Sequence, residues 1–264
     1  MTDKIKQILD NMRRYNNTSN LANSEFGLDE TVVYDALVIA PSYGPDKIIK
    51  DASFRVTKLP SDGHCQGYLV EKDNVKLAWV KTAVGACNML DYLLICGKLQ
   101  FKKLIFIGAV GALNERFNLG DICTPSYSIA GTLANTYLKD SLRDYVPFEQ
   151  IYPDKNYVTQ VIELAENSGY SIKEGSVFCT DSIIMEYTHL DEIKALGVDL
   201  VEMETATFYE IAKMMEIPAI AILVVSDNSA TGIPIAGRTE EMQKIYEYSK
   251  FVVLPDMIYK IAKS

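Results

Sequence analysis

The sequence predicts an α/β fold, and two observations support this prediction. Short apolar segments bounded by turn or polar residues alternate along the chain with longer segments of helical spacing. Several of the short segments are apolar throughout, which is typical of strands covered by helices on both faces of a sheet. Pro and Gly are dispersed and no linker-like tract interrupts the alternation, so residues 1–264 are expected to form a single domain.

The individual elements follow from these patterns in chain order. The predicted strands are 33–40, 77–80, 103–107, 175–179, 199–203 and 219–225. The predicted helices are 87–99, 156–168, 205–215 and 239–254, with 1–23 as an N-terminal helical extension. Glu240 and Glu241 suit the first turn of the last long helix, and Pro255 is expected to kink or end it.

Composition excludes several classes of protein. The net charge is -9 and the sequence pI is about 4.9, so the surface as a whole repels nucleic acids. No apolar run approaches the length of a membrane span and the first residues do not resemble a secretory signal, so a cytoplasmic location is expected. The 5 cysteines form no CxxC pair and only 2 histidines are present, which indicates buried free thiols rather than disulfides or a metal site. No cofactor is expected.

Three polar or glycine-rich segments follow predicted strands, where ligands bind in open α/β sheets. They are 108–113 (GAVGAL), 202–204 (EME) and 226–228 (SDN). Glu204 suits either the acidic complement of a helix N-terminus or a carboxylate that accepts hydrogen bonds from a sugar diol. Asp227 suits either a turn or a carboxyl group at the rim of the core.

The combination of these segments resembles the nucleoside phosphorylase family. LVEMETA at 200–206 is followed by VVSD at 224–227 and preceded by IGAVGAL at 107–113 and by GD at 120–121. The likeness runs from about Leu37 to the C-terminus, and its motifs are most similar to those of bacterial-type purine nucleoside phosphorylases. It implies a three-layer α/β/α sandwich around a mixed, partly barrel-like sheet.

The resemblance also implies roles for particular residues. Glu204 matches the family glutamate that binds ribose, Met203 packs against the sugar, and Phe178 matches the aromatic residue that stacks on the base. Glu202 and Gly111 complete the predicted substrate-binding set. The stretch 181–193 lacks the Gln and Arg with which uracil-specific members read the base, which favours a purine.

Two further residues are implied to be catalytic. Asp227 matches the aspartate that protonates N7 of the departing purine, and Arg238 matches the arginine that assists it. The departing base is electron-rich and must gain a proton, so a general acid suits the reaction. An arginine already paired with Asp227 would keep that acid ionised, so we expect Arg238 to move during the reaction.

The phosphate site of the family is altered in this sequence. Phe106 stands where the family has an arginine, and Ala109 stands where it has a serine. A phosphate dianion needs dense, oriented donors. The remaining phosphate-binding candidates are Ser42, Gly44, Lys47, Gly108 and Ala109, each of which also suits an ordinary surface or turn position.

Three functions therefore remain open. The first is phosphorolysis of a purine nucleoside to free base and ribose 1-phosphate, with inorganic phosphate as co-substrate. The second is hydrolysis, with water in place of phosphate, and the third is a non-catalytic nucleoside-binding module. By analogy with the family, a homo-oligomer is expected, as a dimer or a trimer of dimers.

Overall fold

The computed structural model describes residues 2–15, 20–61 and 63–264. The strands are β1 (Val33–Tyr34), β2 (Ala36–Pro41), β3 (Arg55–Lys58), β4 (Gln66–Lys72), β5 (Val75–Thr82), β6 (Gln100–Phe101), β7 (Leu104–Ala112), β8 (Ile122–Ala130), β9 (Gln150–Ile151), β10 (Ile172–Cys179), β11 (Leu200–Glu202) and β12 (Ala219–Asn228). The helices are α1 (Asp3–Arg13), α2 (Leu21–Phe26), α3 (Pro45–Ile48), α4 (Ala86–Ile95), α5 (Lys155–Asn167), α6 (Ile183–Glu186), α7 (Leu190–Ala195), α8 (Thr205–Met215), α9 (Glu240–Tyr248) and α10 (Leu254–Lys263).

The main sheet is mixed and partly closed. Its strand order is β3-β4-β5-β2-β7-β12-β8-β10-β11, with β9 paired to β8. β11 also pairs antiparallel with β7, so β7, β12, β8, β10 and β11 close into a barrel. The predicted α/β class with a mixed, partly barrel-like sheet is confirmed.

Helices cover both faces of this sheet, as the apolar strands indicate. In β2 the side chain of Leu37 packs in one buried cluster and that of Val38 in another, because successive residues of a strand point to opposite faces. Residues of α4 and α8 join the first cluster, and residues of α5 and α10 join the second. The three layers therefore follow from strands that are buried on both sides.

Two strands extend further than the sequence predicts. β7 continues through 108–112, so the predicted end of this strand at Ile107 was wrong. β12 continues through Asn228, so 226–228 belong to a strand and not to a turn. Both extensions persist because β7 and β12 stay paired to their ends, with a shift in register between Val225 and Asp227.

The C-terminal helical segment also differs from the prediction. It is interrupted at 249–253 by a π-helical turn, and Pro255 lies in the first turn of α10. A proline is tolerated there because the first-turn amide groups have no partner within the helix. Pro255 therefore follows a junction between two helices and does not end the helical segment.

The N-terminal segment is folded onto the rest of the protein. Ile5 and Leu9 of α1 are buried, and the hydroxyl of Thr2 donates to the carbonyl of Met214 at 2.7 Å. Residues 1 and 16–19 of the predicted extension lie outside the described residues. Of the cysteines, Cys87 is exposed in the first turn of α4, so the prediction of a buried thiol was wrong for that residue. Among the described helices, none is long and apolar enough to cross a membrane.

Candidate active site

One edge of β7 is open at the mouth of the barrel. β2 pairs with this edge up to Phe106 and β11 pairs with it from Gly111, while the other edge pairs with β12. A cavity of about 180 Å³ lies at the gap between β2 and β11. Its lining residues are Pro41, Ser42, Tyr43, Val84, Gly108, Ala109, Val110, Gly111, Ile183, Glu186, Val201, Glu202, Met203, Glu204, Ser226, Asp227 and Ile235. The three segments that the sequence predicts as ligand-binding thus meet in one cavity.

Glu202 holds the turn between β11 and α8. Its carboxylate accepts hydrogen bonds from the backbone amides of Glu204 and Thr205 at 2.7 and 3.0 Å, and from the Thr205 hydroxyl at 2.8 Å. The thiol of Cys179 donates to it at 2.8 Å. These donors reach both carboxylate oxygens, so Glu202 fixes the N-terminus of α8, and it also lines the cavity.

Glu204 presents its carboxyl group to the cavity. It is buried, and the backbone amide of Gly85 donates to its Oε1. Gly85 has φ +103, a backbone conformation that side chains rarely adopt, so a glycine suits this contact. Burial and then the neighbouring carboxyl group of Glu202 raise the pKa of Glu204 to about 8. Met203, also predicted, lines the cavity beside it.

Asp227 enters the same cavity because of the register shift in β12. The shift places Asp227 opposite Gly111 of β7, where an added Cβ would lie 3.0 Å from Oδ2 of Asp227. A glycine at 111 therefore gives the carboxyl group its space. Burial raises the pKa of Asp227, against the opposing effects of the Ser226 hydroxyl, which donates to Oδ1 at 2.6 Å, and of the Arg238 charge.

Arg238 lies near Asp227 without pairing with it. Its Nε and Nη2 donate to the backbone carbonyl of Ser226 at 3.0 and 2.6 Å, and its guanidinium group lies 4.6 Å from the ring centre of Tyr246. The charge of Arg238 still lowers the pKa of Asp227. The predicted obstacle, an acid kept ionised by a direct ion pair, is absent from this arrangement.

The phosphate-binding candidates divide into two groups. Ser42, Gly108 and Ala109 line the cavity, and Ser42 has φ +64. Gly44 caps α3 outside the lining, and Lys47 is 81% exposed beside Asp46. Within the described ranges, no Lys, Arg or His side chain lines this cavity. Lys47 and Gly44 therefore do not contribute to it here.

The predicted base-stacking residue lines a neighbouring cavity. Phe178 lines a second cavity of about 560 Å³, and its side chain packs with Ile129, Ile193 and Val201. Phe178 is therefore outside the lining that Glu204 and Asp227 share, although it packs with Val201, which belongs to that lining. Phe178 points to the opposite face of β10 from Val177 and Cys179, and a strand buried on both faces does not reveal which face is which.

Ile183 and Glu186 are among the lining residues that the sequence did not predict. Ile183 supplies an apolar wall, and Glu186 lines both cavities while being only 9% exposed. Burial and then the charge of Asp227 raise the pKa of Glu186 to about 7. Both residues lie in α6, just after the carboxyl end of β10, and this location was the available signal.

Fold and site together define an α/β protein with a partly open, carboxyl-lined cavity at the open edge of a barrel strand. The family model described as "Phosphorylase superfamily" matches residues 62–249. The chain belongs to this superfamily, and the resemblance to nucleoside phosphorylases is confirmed.

The chain is similar to curated relatives over part of their length. It is 28% identical over 131 residues to a DeoD-type purine nucleoside phosphorylase of Anoxybacillus flavithermus, covering 50% of this chain and 54% of the relative. It is 32% identical over 146 residues to another from Thermoanaerobacter sp. (strain X514), covering 55% and 60%. The matched segment thus spans little more than half of these relatives.

A solved structure supports the fold. The crystal structure of Campylobacter jejuni 5'-methylthioadenosine/S-adenosyl homocysteine nucleosidase superposes with a TM-score of 0.65, covering 86% of this chain and 98% of that one. The two sequences are 17% identical, so the likeness concerns the fold alone.

Proposed function

We propose that this protein cleaves the N-glycosidic bond of a purine nucleoside. The observation that carries the proposal is the single cavity lined by both Glu204 and Asp227. A nucleoside has a sugar that offers hydroxyl donors and a base that must be protonated as it departs. The cavity offers one carboxyl group for each requirement, and the family to which the chain belongs supports the same substrate class.

In the proposed reaction Asp227 is the general acid. Its raised pKa favours the protonated form when the nucleoside binds. As the bond from ribose C1' to base N9 breaks, the bonding electrons move to the base and the Asp227 proton moves to N7. Arg238 then stabilises the carboxylate that remains, since its charge already acts on this group. General acid catalysis of this kind contributes about 10²–10⁴ in rate.

Glu204 is proposed to hold the ribose hydroxyls. Its carboxyl group accepts from Gly85 and keeps an open side toward the cavity, where Met203 supplies an apolar surface. Hydrogen bonds from a sugar diol favour the ionised form of a carboxyl group. Nucleoside binding is therefore expected to lower the pKa of Glu204 from about 8.

Inorganic phosphate is proposed as the acceptor that attacks C1'. The curated relatives are named purine nucleoside phosphorylases, which supports this choice. The open edge of β7 from Ile107 to Val110, together with Ser42, is the proposed position of the phosphate oxygens. Backbone amides at an unpaired strand edge can bind anions.

Hydrolysis is a second candidate because one observation favours it. The described lining carries carboxyl groups at Glu186, Glu202, Glu204 and Asp227, and it includes no cationic side chain. A phosphate dianion in such a cavity meets repulsion without a guanidinium or ammonium partner. Water has no charge and avoids this cost.

One experiment tests these proposals together. Release of base from inosine and adenosine is measured in phosphate-free buffer and after addition of phosphate, with the wild type and with Asp227→Asn. Release that requires phosphate supports phosphorolysis, and release at a rate that phosphate does not change supports hydrolysis. Binding of inosine without release under either condition would overturn the enzymatic proposal in favour of a nucleoside-binding module.

A further inference from the structure

The second cavity extends the site in one direction. Its apolar walls include Phe148, Phe178, Met185 and Ile193, and its volume is about 560 Å³. Glu186 lines this cavity and also the first one, so the two cavities adjoin at its side chain. The first cavity, at about 180 Å³, is smaller than the ~300–1,000 Å³ that is common for ligand pockets. A ligand larger than a simple nucleoside therefore has space beyond Glu186.

Contacts between side chains show which end of the nucleoside faces this space. A Cβ added at Gly111 would lie 3.0 Å from Oδ2 of Asp227 and 3.2 Å from Val201, and Val201 packs in one cluster with Phe178 of the second cavity. The second cavity therefore lies on the Asp227 side of the first, which is the base end in the proposed function, and the charge of Asp227 also raises the pKa of Glu186. The apolar cavity continues from the base and not from the sugar.

Glu186 has an unused hydrogen-bonding capacity at this boundary. The residue is 9% exposed, and within the described part of the chain its carboxyl group forms neither a hydrogen bond nor an ion pair, since only burial and the charge of Asp227 shift its pKa. Buried polar groups are nearly always hydrogen-bonded in a functional state. A donor on the ligand, directed toward the boundary between the cavities, would satisfy this carboxyl group.

We propose that the site takes purine nucleosides whose exocyclic nitrogen at C6 carries an apolar group. The N6–H donates to Glu186, and the apolar group enters the cavity formed by Phe148, Phe178 and Met185. This substrate class rests on the proposed function, because it takes Asp227 as the base end of the site. Adenosine binds in the same manner but leaves the second cavity unfilled.

The test compares kcat/KM for adenosine, N6-benzyladenosine and 5'-methylthioadenosine. Burial of a benzyl-sized group is expected to raise kcat/KM about tenfold over adenosine, since burying a Phe side chain contributes ~1.5–3 kcal/mol. A similar gain for 5'-methylthioadenosine alone would place the apolar cavity at the sugar end and overturn the inference. Cleavage of adenosine without cleavage of N6-benzyladenosine would overturn it as well, while leaving the proposed function intact.

Two variants distinguish the contribution of the second cavity to activity from that of the rest of the site. Ala195 lies at the exposed rim of the second cavity, so Ala195→Phe fills it without entering the core. This substitution is expected to lower kcat/KM for N6-benzyladenosine at least tenfold more than for adenosine, and Ala195→Ser is the matched control. Glu186→Leu removes the acceptor and is expected to raise KM for both substrates. Equal effects of Ala195→Phe on the two substrates would contradict the inference.

If no base is released from any nucleoside, calorimetry of nucleoside binding still tests the role of the second cavity. That result overturns the proposed function by itself. Tighter binding of N6-benzyladenosine than of adenosine, lost in Ala195→Phe, would still support the assigned cavity. Equal or weaker binding would overturn it.

Discussion

The carboxyl group of Glu204 should make the stability of this protein depend on pH in a predictable direction. Its pKa rises from 4.5 to about 8 on folding, because of burial and then the nearby Glu202. One pKa unit corresponds to ~1.4 kcal/mol, so the full rise corresponds to about 5 kcal/mol. Between these pH values the folded protein binds a proton that the unfolded chain has released, and stability therefore falls as pH increases from about 4.5 to about 8.

Glu204→Gln removes this titration while keeping the shape of the side chain. The amide oxygen can still accept from Gly85, and the amide nitrogen can donate to Glu202, as the protonated Glu204 does. At pH 5 the variant should be about as stable as the wild type. At pH 8 and above it should be more stable by several kcal/mol, up to the ~5 kcal/mol given by the pKa rise.

Urea denaturation at several pH values between 5 and 9 measures this difference. Trp79 is the single tryptophan and is buried, so its fluorescence reports unfolding. Glu163→Gln, at an exposed position of α5, is the matched control and should shift stability equally at every pH. A stability difference between Glu204→Gln and the wild type that stays constant from pH 5 to pH 9 would refute the reasoning.

Three other changes test the remaining parts of the site. Asp227→Asn should lower kcat about 10²–10⁴-fold, because the variant lacks the general acid. The wild-type rate should fall as pH rises through the raised pKa of Asp227. A variant whose rate falls with pH in the same way would contradict the assignment. Gly111→Ala places a Cβ 3.0 Å from Oδ2 of Asp227 and 3.2 Å from Val201. This substitution should lower the free energy of unfolding by ~1–3 kcal/mol, measured by thermal unfolding, and should also lower kcat/KM. Unchanged kinetics would argue against the close approach of Asp227 to Gly111. Glu202→Ala leaves the backbone amides of Glu204 and Thr205 without acceptors. It should therefore lower the free energy of unfolding in denaturant by at least ~2 kcal/mol. An unchanged free energy would exclude a role of Glu202 in holding the turn.

The fold was predictable because burial on both faces leaves a direct trace in the sequence. The apolar run at 219–225 appears as the buried first part of β12, and the helical spacing at 205–215 corresponds to α8 at both ends. Strands β3, β4 and β8 were missed, since polar residues and Pro125 interrupt their patterns. The ends of β7 and β12 were misplaced because glycine and polar residues resemble a loop when the partner strand is unknown.

The site residues that lie at or just after strand ends were predictable from the sequence. Glu204 and Asp227 lie in one cavity because β11 and β12 pair with opposite edges of β7 and both reach Gly111 near their carboxyl ends. The separation of Phe178 from this cavity was not predictable, because a side chain buried on either face of β10 gives the same pattern. Glu186 was missed for a related reason: a carboxyl group in a short helix appears solvated until the packing around it is known.

The sequence by itself determined the class of fold, the family and the pair of carboxyl groups that define the proposed chemistry. These properties depend on local patterns, namely apolar periodicity and short motifs at strand ends. Only the tertiary structure decided that Glu202 holds a turn, that Arg238 binds a backbone carbonyl and that Glu186 joins two cavities. The physical reason is that hydrogen-bond partners, burial and pKa shifts depend on residues distant in the chain, which become neighbours when the barrel closes.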